Sequence, residues 1–244
     1  MIFRTDGYIP IILIILPILD PNDHGTIEKW ASPIALESSH MAIFNLKKRE
    51  IECKIVFYGP GRGGKTTNLE SLFKVYKKQI TGEMVSINTE GDRTLFFDFL
   101  PIGLGSIRGC DVRVQLYTVP GQVKYSSTRK LVLRGVDGVV FVADSLEVRR
   151  EKNMISLQDL QKNLKEYGKS IFKTPLVLQY NKRDLADEGI PLMPIEQMDK
   201  DLNRQLKVPS FPASAVKGDG VGPTLKECLK LTLKALQKEF KWAQ

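Results

Sequence analysis

Ile51, Cys53, Ile55 and Phe57 alternate with Glu52 and Lys54 before the run turns wholly apolar, the pattern of a parallel strand buried on both faces. Thr94 to Leu100 and Asp111 to Val119 are two further β-rich segments. Gly103, Gly105 and Gly109 between them predict a turn, and so short a connection predicts an antiparallel pair. Gly138 to Ala143 and Leu176 to Tyr180 are continuous apolar runs, as strands central in a sheet would be. Elsewhere the period changes to that of a helix. Thr67 to Lys78 is one such stretch, Met154, Leu157, Leu160 and Leu164 mark a second, and Leu225, Leu229, Leu233, Leu236 and Phe240 a third, the last two with lysine and glutamate on the other face. This alternation predicts an α/β fold: a three-layer, doubly wound domain around a mostly parallel six-stranded sheet with one antiparallel edge strand. Ligands of such sheets collect beyond the carboxyl ends of the strands. The loops starting at Gly59, Thr118, Asn181 and Ser214 are therefore expected around one crevice.

Residues 1–40 do not share this pattern. Ile9 to Leu19 is apolar but broken by Pro10 and Pro17, and it is too short to span a bilayer. Arg4 is offset by Asp6, which argues against a secretory signal. Met41 stands close before the first core strand, so we expect initiation there, with 1–40 disordered or absent from the working protein and 41–244 forming the domain. A membrane-touching extension is the alternative. A C-terminal Lys-Trp-Ala-Gln is no prenylation box, and neither Met1-Ile2 nor Met41-Ala42 suits myristoylation, so no stable membrane anchor is expected.

The formal net charge of +8 gathers at Lys47-Lys48-Arg49, at Lys74, Lys77 and Lys78, and along Lys226, Lys230, Lys234, Lys238 and Lys241. Solvated helix faces account for most of it, and an acidic partner surface or peripheral contact with anionic lipid is the sharper reading. No nucleic-acid-reading motif accompanies the charge, so no nucleic-acid partner is expected. The three cysteines, Cys53, Cys110 and Cys228, are far apart in apolar settings and imply neither a disulfide framework nor a metal cluster. A reducing, cytoplasmic compartment follows.

The chemistry centres on Gly59-Pro60-Gly61-Arg62-Gly63-Gly64-Lys65-Thr66, which fits the phosphate-cradling pattern G-x-x-x-x-G-K-[ST] between a strand and a helix. Glycines let successive N–H groups turn inward to a polyphosphate, Lys65 brings a point charge to the β and γ phosphates, and Thr66 offers a hydroxyl to Mg²⁺. Candidate nucleotide ligands here are Gly59, Gly61, Arg62, Gly63, Gly64, Lys65, Thr66 and Thr67. The inward face of such a loop is made by backbone N–H groups, so the Arg62 side chain is expected to point outward. The bland reading is a glycine-rich turn joining strand to helix.

Asn181-Lys182-Arg183-Asp184 follows the strand ending at Tyr180. A carboxylate at Asp184 can accept from the ring N1–H and the exocyclic amine of guanine, a donor pair adenine lacks, and a site built on such pairs rejects an analogue that leaves them unpaired. Asn181 can contact N7 and the local backbone, and the Lys182 stem can cover the base. In Thr118-Val119-Pro120-Gly121-Gln122, Gly121 lets a backbone N–H approach the γ phosphate, and Gln122 is placed to orient an attacking water. Thr94, in the polar loop beginning at Thr89, can complete a Mg²⁺ shell only while the γ phosphate is present.

The strings Gly59 to Asn68, Asp92 to Pro101, Leu116 to Gln122, Gly135 to Asp144 and Gln179 to Leu185 together resemble a Ras-superfamily small GTPase, specifically the bacterial gliding-motility A-type (MglA) proteins. The resemblance covers residues 42 to about 238. It implies a P-loop GTPase G domain, bound GTP or GDP with Mg²⁺ on Thr66 and Thr94, and a switch controlling cell polarity or gliding motility. It implies, too, a homodimeric roadblock-fold partner that accelerates hydrolysis, downstream motility or polarity effectors, and recruitment to cell poles. Arg93 would then act as an arginine finger from the protein's own first switch loop, beside Gln122 and Lys65 in catalysis. Ser214, Ala215 and Val216 resemble the segment whose backbone N–H groups meet the guanine O6. Thr118 departs from the acidic residue usual four places before the glutamine; a neutral hydroxyl adds no charge, which predicts weaker Mg²⁺ binding. A GTP-binding scaffold with negligible hydrolysis remains the alternative, and an ATPase or nucleotide kinase would leave Asn181 to Asp184 without a task.

Overall fold

The computed structural model describes residues 43–45, 50–80, 82–87, 97–107, 110–121 and 126–242. Strand β1 (Ile43–Asn45) precedes β2 (Glu50–Tyr58), helix α1 (Lys65–Val75), β3 (Val85–Ile87), β4 (Phe97–Ile107) and β5 (Cys110–Thr118). There follow α2 (Ser126–Leu133), β6 (Gly138–Asp144), α3 (Arg150–Glu166), β7 (Leu176–Asn181), α4 (Ile195–Leu202), β8 (Ser210–Pro212) and α5 (Val221–Trp242). The expected six-stranded sheet runs in the order β4-β5-β2-β6-β7-β8, its sixth strand, β8, being one that no segment of the sequence singled out, and every neighbouring pair is parallel except β4 and β5. Two three-residue strands are added: β3 outside β4, and β1 on the β2 edge that β6 reaches only from Ile55 onward.

Strand β2 is apolar on both sides because both sides are covered. Val56 and Tyr58 join Phe141, Leu160 and Met198 in one core layer, under α2, α3 and α4. Ile55 and Phe57 join Leu69, Leu72, Leu225 and Cys228 in the other, under α1 and α5. All seven residues of β6 and all six of β7 are buried, as strands central in the sheet should be, the polar Asp144, Gln179 and Asn181 included.

The hairpin corrects one expectation. Gly103 and Gly105 lie within β4 rather than in the turn, and the pairing register with β5 shifts between Gly103 and Ser106. Glycines inside a strand commonly mark such a bulge, and here they carry the pair as far as Ile107 and Cys110. Gly109 lies outside the described residues.

Candidate functional site

The loop between β2 and α1 is wedged between its neighbours. Gly59 has φ 144°, and a Cβ there would collide with the carbonyl oxygen of Val142 on β6. Gly64 has φ 94° and a Cβ there would run into Asn181. Only glycine tolerates both the dihedral and the crowding. A third glycine, Gly121 after β5, presses on the backbone of Gly61 and accepts its N–H at 3.1 Å. Arg62, at φ 63°, is exposed and stands among the residues that line the cavity beside the loop. The glycines thus bring the ends of β2, β5, β6 and β7 to one point.

Lys65 opens α1 and is 6% exposed. Its ammonium donates to the carbonyls of Gly59 at 3.0 Å and Pro60 at 2.7 Å, so it folds back over its own loop. Burial first, then the charge of Arg129, lower its pKa to about 7; Asp98 opposes this and Arg149 adds to it. Arg129 comes from α2, buried and paired with Asp159 at 2.8 Å. A polyphosphate beside Lys65 would favour the charged form, so the bound state holds more protons than the free state above neutrality. Polyphosphate affinity should therefore fall as pH rises past about 7, with net proton uptake on binding above that pH. Calorimetry in two buffers of different ionisation enthalpy measures that uptake, and identical heats in both would contradict it. In the free protein the folded-state pKa lies below the unfolded value, so this group raises stability as pH climbs from about 7 towards 10.5.

A cavity of about 370 Å³ opens beside the loop, lined among others by Lys65, Thr66, Asp98, Thr118 and Gly121. On its floor a carboxylate stands beside the neutral Thr118. Thr66 donates its hydroxyl to Asp98 Oδ2 at 2.6 Å, and Thr118 donates to the same oxygen at 2.8 Å while accepting the Asp98 backbone N–H at 2.9 Å. The acidic group missing from β5 is supplied by the antiparallel strand next to it. Asp98 escaped the sequence reading because it sits in the apolar run Phe97 to Ile102, where a lone polar residue reads as the outward half of a strand. Only the register, Phe99 opposite Tyr117, brings it against Thr118.

At the other end Asn181 is buried at the tip of β7 and braces two loops. Its Nδ2 donates to Gly63 O at 2.9 Å, and its Oδ1 accepts the Ala215 N–H at 2.9 Å. The local-backbone contact expected of Asn181 is therefore present. Ser214 donates its N–H to Asp219 O at 2.9 Å, so the N–H groups of Ser214 and Ala215 both meet protein acceptors. Contact of either with a guanine O6 would share that donor or displace it. Val216 is 77% exposed and Asp184 half-buried in the first turn of the 3₁₀ segment that starts at Arg183. Lys182, with φ 71°, turns its ammonium to Asp144 Oδ2 at 2.7 Å. Asp144 is fully buried at the end of β6, a second carboxylate that no sequence motif singled out.

Arg93, Thr94 and Gln122 lie outside the described residues, and Thr67 stands half-buried at the cavity wall. Among the described residues no helix is long and apolar enough to cross a membrane.

Residues 39–232 match the model of the ADP-ribosylation factor family. The chain is 52% identical over 198 residues to the mutual gliding-motility protein MglA of Myxococcus xanthus (strain DK1622), a match spanning 81% of this chain and 99% of that protein. Human ADP-ribosylation factor-like protein 4C is 27% identical over 186 residues, covering 74% of this chain and 86% of its own. Human ADP-ribosylation factor-like protein 4A is 27% identical over 183 residues, covering 74% and 83%. With a phosphate loop, a guanine-type loop and a family match across nearly the whole described fold, the chain belongs to the ADP-ribosylation factor family of Ras-superfamily small GTPases, switches that bind and hydrolyse GTP.

Proposed function

We propose that this GTPase is a switch for cell polarity or surface motility, active in the cytoplasm, recruited to cell poles, and turned off by a homodimeric roadblock-fold partner. The name of the relative that is 52% identical over almost its full length supports the motility reading. The exposed row Lys226, Lys230, Lys234 and Lys238 on α5 supports contact with an acidic effector surface or anionic lipid. Residues 41–244 act as the switch domain, with 1–40 an extension of it, a division supported by the family match beginning at residue 39.

One observation carries the mechanism: the Asp98 carboxylate held between the hydroxyls of Thr66 and Thr118, beside the lysine of the phosphate loop. These are hard oxygen donors of the kind Mg²⁺ prefers, and Mg²⁺ in nucleotide sites is held by few carboxylates together with substrate phosphates and waters. Among the described residues no cluster of three or more His, Cys, Asp or Glu side chains could hold a metal alone, which suits an ion carried in by the nucleotide. The donor set therefore fits. Thr66 would be the protein ligand, joined by Thr94 in the triphosphate form, and Asp98 and Thr118 would hold the ion's water. When bound, Mg²⁺ neutralises charge developing between the β and γ phosphates.

The chain's own groups do the rest. Backbone N–H groups of the loop at Gly59, Gly61, Arg62, Gly63 and Gly64 and the Lys65 ammonium bind the phosphates, the Gly61 N–H by sharing or leaving the Gly121 carbonyl it meets at 3.1 Å; Thr67 lies at the edge of that site, and Gly121 approaches the γ phosphate. Asp184 selects guanine, with Lys182 against the base and Ser214 to Val216 beside it. Gln122 orients the attacking water and Arg93 stabilises charge on the phosphoryl group as it transfers. Gln122→Leu should leave nucleotide affinity within about twofold of the parent but slow single-turnover hydrolysis by about 10²-fold or more, since water positioning is lost. Release of phosphate at the parental rate from that variant would remove Gln122 from the mechanism.

A further inference from the structure

Behind the phosphate loop lies a charge network in which Asp144 and Arg149, two residues with no part in the nucleotide site described above, meet Gly61 and Lys182, which do have one. A 3₁₀ turn, Glu147–Arg149, follows β6 and aims the Arg149 guanidinium back at the loop, where Nη2 donates to Gly61 O. Its Nε stands 3.4 Å from Asp144 Oδ2, the oxygen that Lys182 reaches at 2.7 Å. Asp144 is fully buried and rigidly mounted: its N–H donates to Asn153 Oδ1 at 2.9 Å, its C=O accepts Asn153 Nδ2 at 2.8 Å, and Oδ1 accepts the Leu146 N–H at 3.1 Å. One carboxylate oxygen therefore joins a cation gripping the phosphate loop to a cation belonging to the guanine loop.

Neutralising Asp144 does not require Arg149. Lys182 already pairs with Asp144 at 2.7 Å, whereas the guanidinium pairs with it at the longer 3.4 Å and also directs Nη2 to the loop carbonyl. A forked guanidinium can hold two acceptors at once in a fixed geometry, which an ammonium cannot. We propose that Arg149 is a positioning residue for nucleotide retention: through Gly61 O and Asp144 it ties the phosphate loop to Lys182, so base and phosphates are held by one rigid unit and released slowly together. The inference rests on the reading above that the nucleotide lies across these two loops.

The test is dissociation of fluorescently labelled GDP and GTP from the full chain in magnesium buffer, alongside melting temperature and single-turnover hydrolysis. Arg149→Ala should release both nucleotides about 10- to 100-fold faster, the scale of one charge-assisted hydrogen bond to the loop. Hydrolysis of GTP already bound should change far less than release. Arg149→Lys should fall between the two, because an ammonium reaches one of the two acceptors at a time. Release within twofold of the parent, or release that quickens only in step with lost thermal stability and hydrolysis, overturns the proposal. If the alanine variant does not fold, Arg149→Lys decides: faster release of both nucleotides supports the tie, parental release overturns it. Parent protein that retains neither nucleotide overturns the functional reading and this inference together; parent that retains both beside variants that behave like it overturns the inference alone.

Discussion

Asp98→Ala is expected to weaken the magnesium dependence of nucleotide retention by about 10- to 100-fold, the usual cost of removing a group that orients a metal's inner ligands. The substitution leaves the hydroxyls of Thr66 and Thr118 without the acceptor they now share at 2.6 and 2.8 Å. The exposed Thr66 can turn to water, whereas the buried Thr118 hydroxyl left unpaired would cost about 1–3 kcal/mol. Asp98→Asn separates charge from shape, since the amide keeps an acceptor between the two threonines and loses the negative charge. Magnesium titrations of GDP release should show the alanine and asparagine variants both shifted to higher ion concentration, with asparagine less destabilised thermally. Unshifted titrations for both would mean that Asp98 holds the strand pair together and nothing more.

Asp184→Ala should cost more. A carboxylate accepting two donors from guanine makes charge-assisted bonds of about 1.5–3 kcal/mol each, so their joint loss corresponds to roughly 10²- to 10⁴-fold in GTP affinity. ATP lacks that donor pair and gains or loses little, so the variant's preference for GTP should collapse by the same factor. Asp184 is half-buried at the head of a 3₁₀ segment, a position open to a base. Competition between GTP and ATP measures the ratio directly, and a variant still preferring GTP as strongly as the parent would take base selection away from Asp184.

The parts of this molecule that are legible in the chain are those whose function depends on neighbours in sequence. The phosphate loop is a local device: its glycines, lysine and threonine lie within one turn and the start of one helix, and the structure forms it there. Strands β2, β6 and β7 announce themselves through their apolar runs, Ile55 to Phe57 in β2, Val139 to Ala143 in β6 and Leu176 to Leu178 in β7, where both faces are covered. By contrast β3 and β8 are three residues each, too short for any period to emerge. The glycines of the hairpin misled because a bulge and a turn use the same residue for different reasons. Asp98, Asp144 and Arg149 meet partners distant in the chain: Asp98 reaches Thr66 on α1 and Thr118 on β5, Asp144 reaches Lys182 just after β7, and Arg149 reaches Gly61 in the phosphate loop. Their neighbours in the chain do not announce these contacts: the β4–β5 register brings Asp98 to Thr118, and the 3₁₀ turn after β6 brings Arg149 to Gly61.

The account stands on a single pocket that grips a guanine nucleotide with magnesium. Titration of the purified, nucleotide-stripped full chain with GDP, GTP and ATP, each with and without magnesium, tests it most directly. Saturable one-to-one binding of GDP and GTP, tightened by magnesium and at least about 10²-fold stronger than that of ATP, is the predicted result. Binding of ATP as tight as GTP, or no binding of either guanine nucleotide, would contradict it.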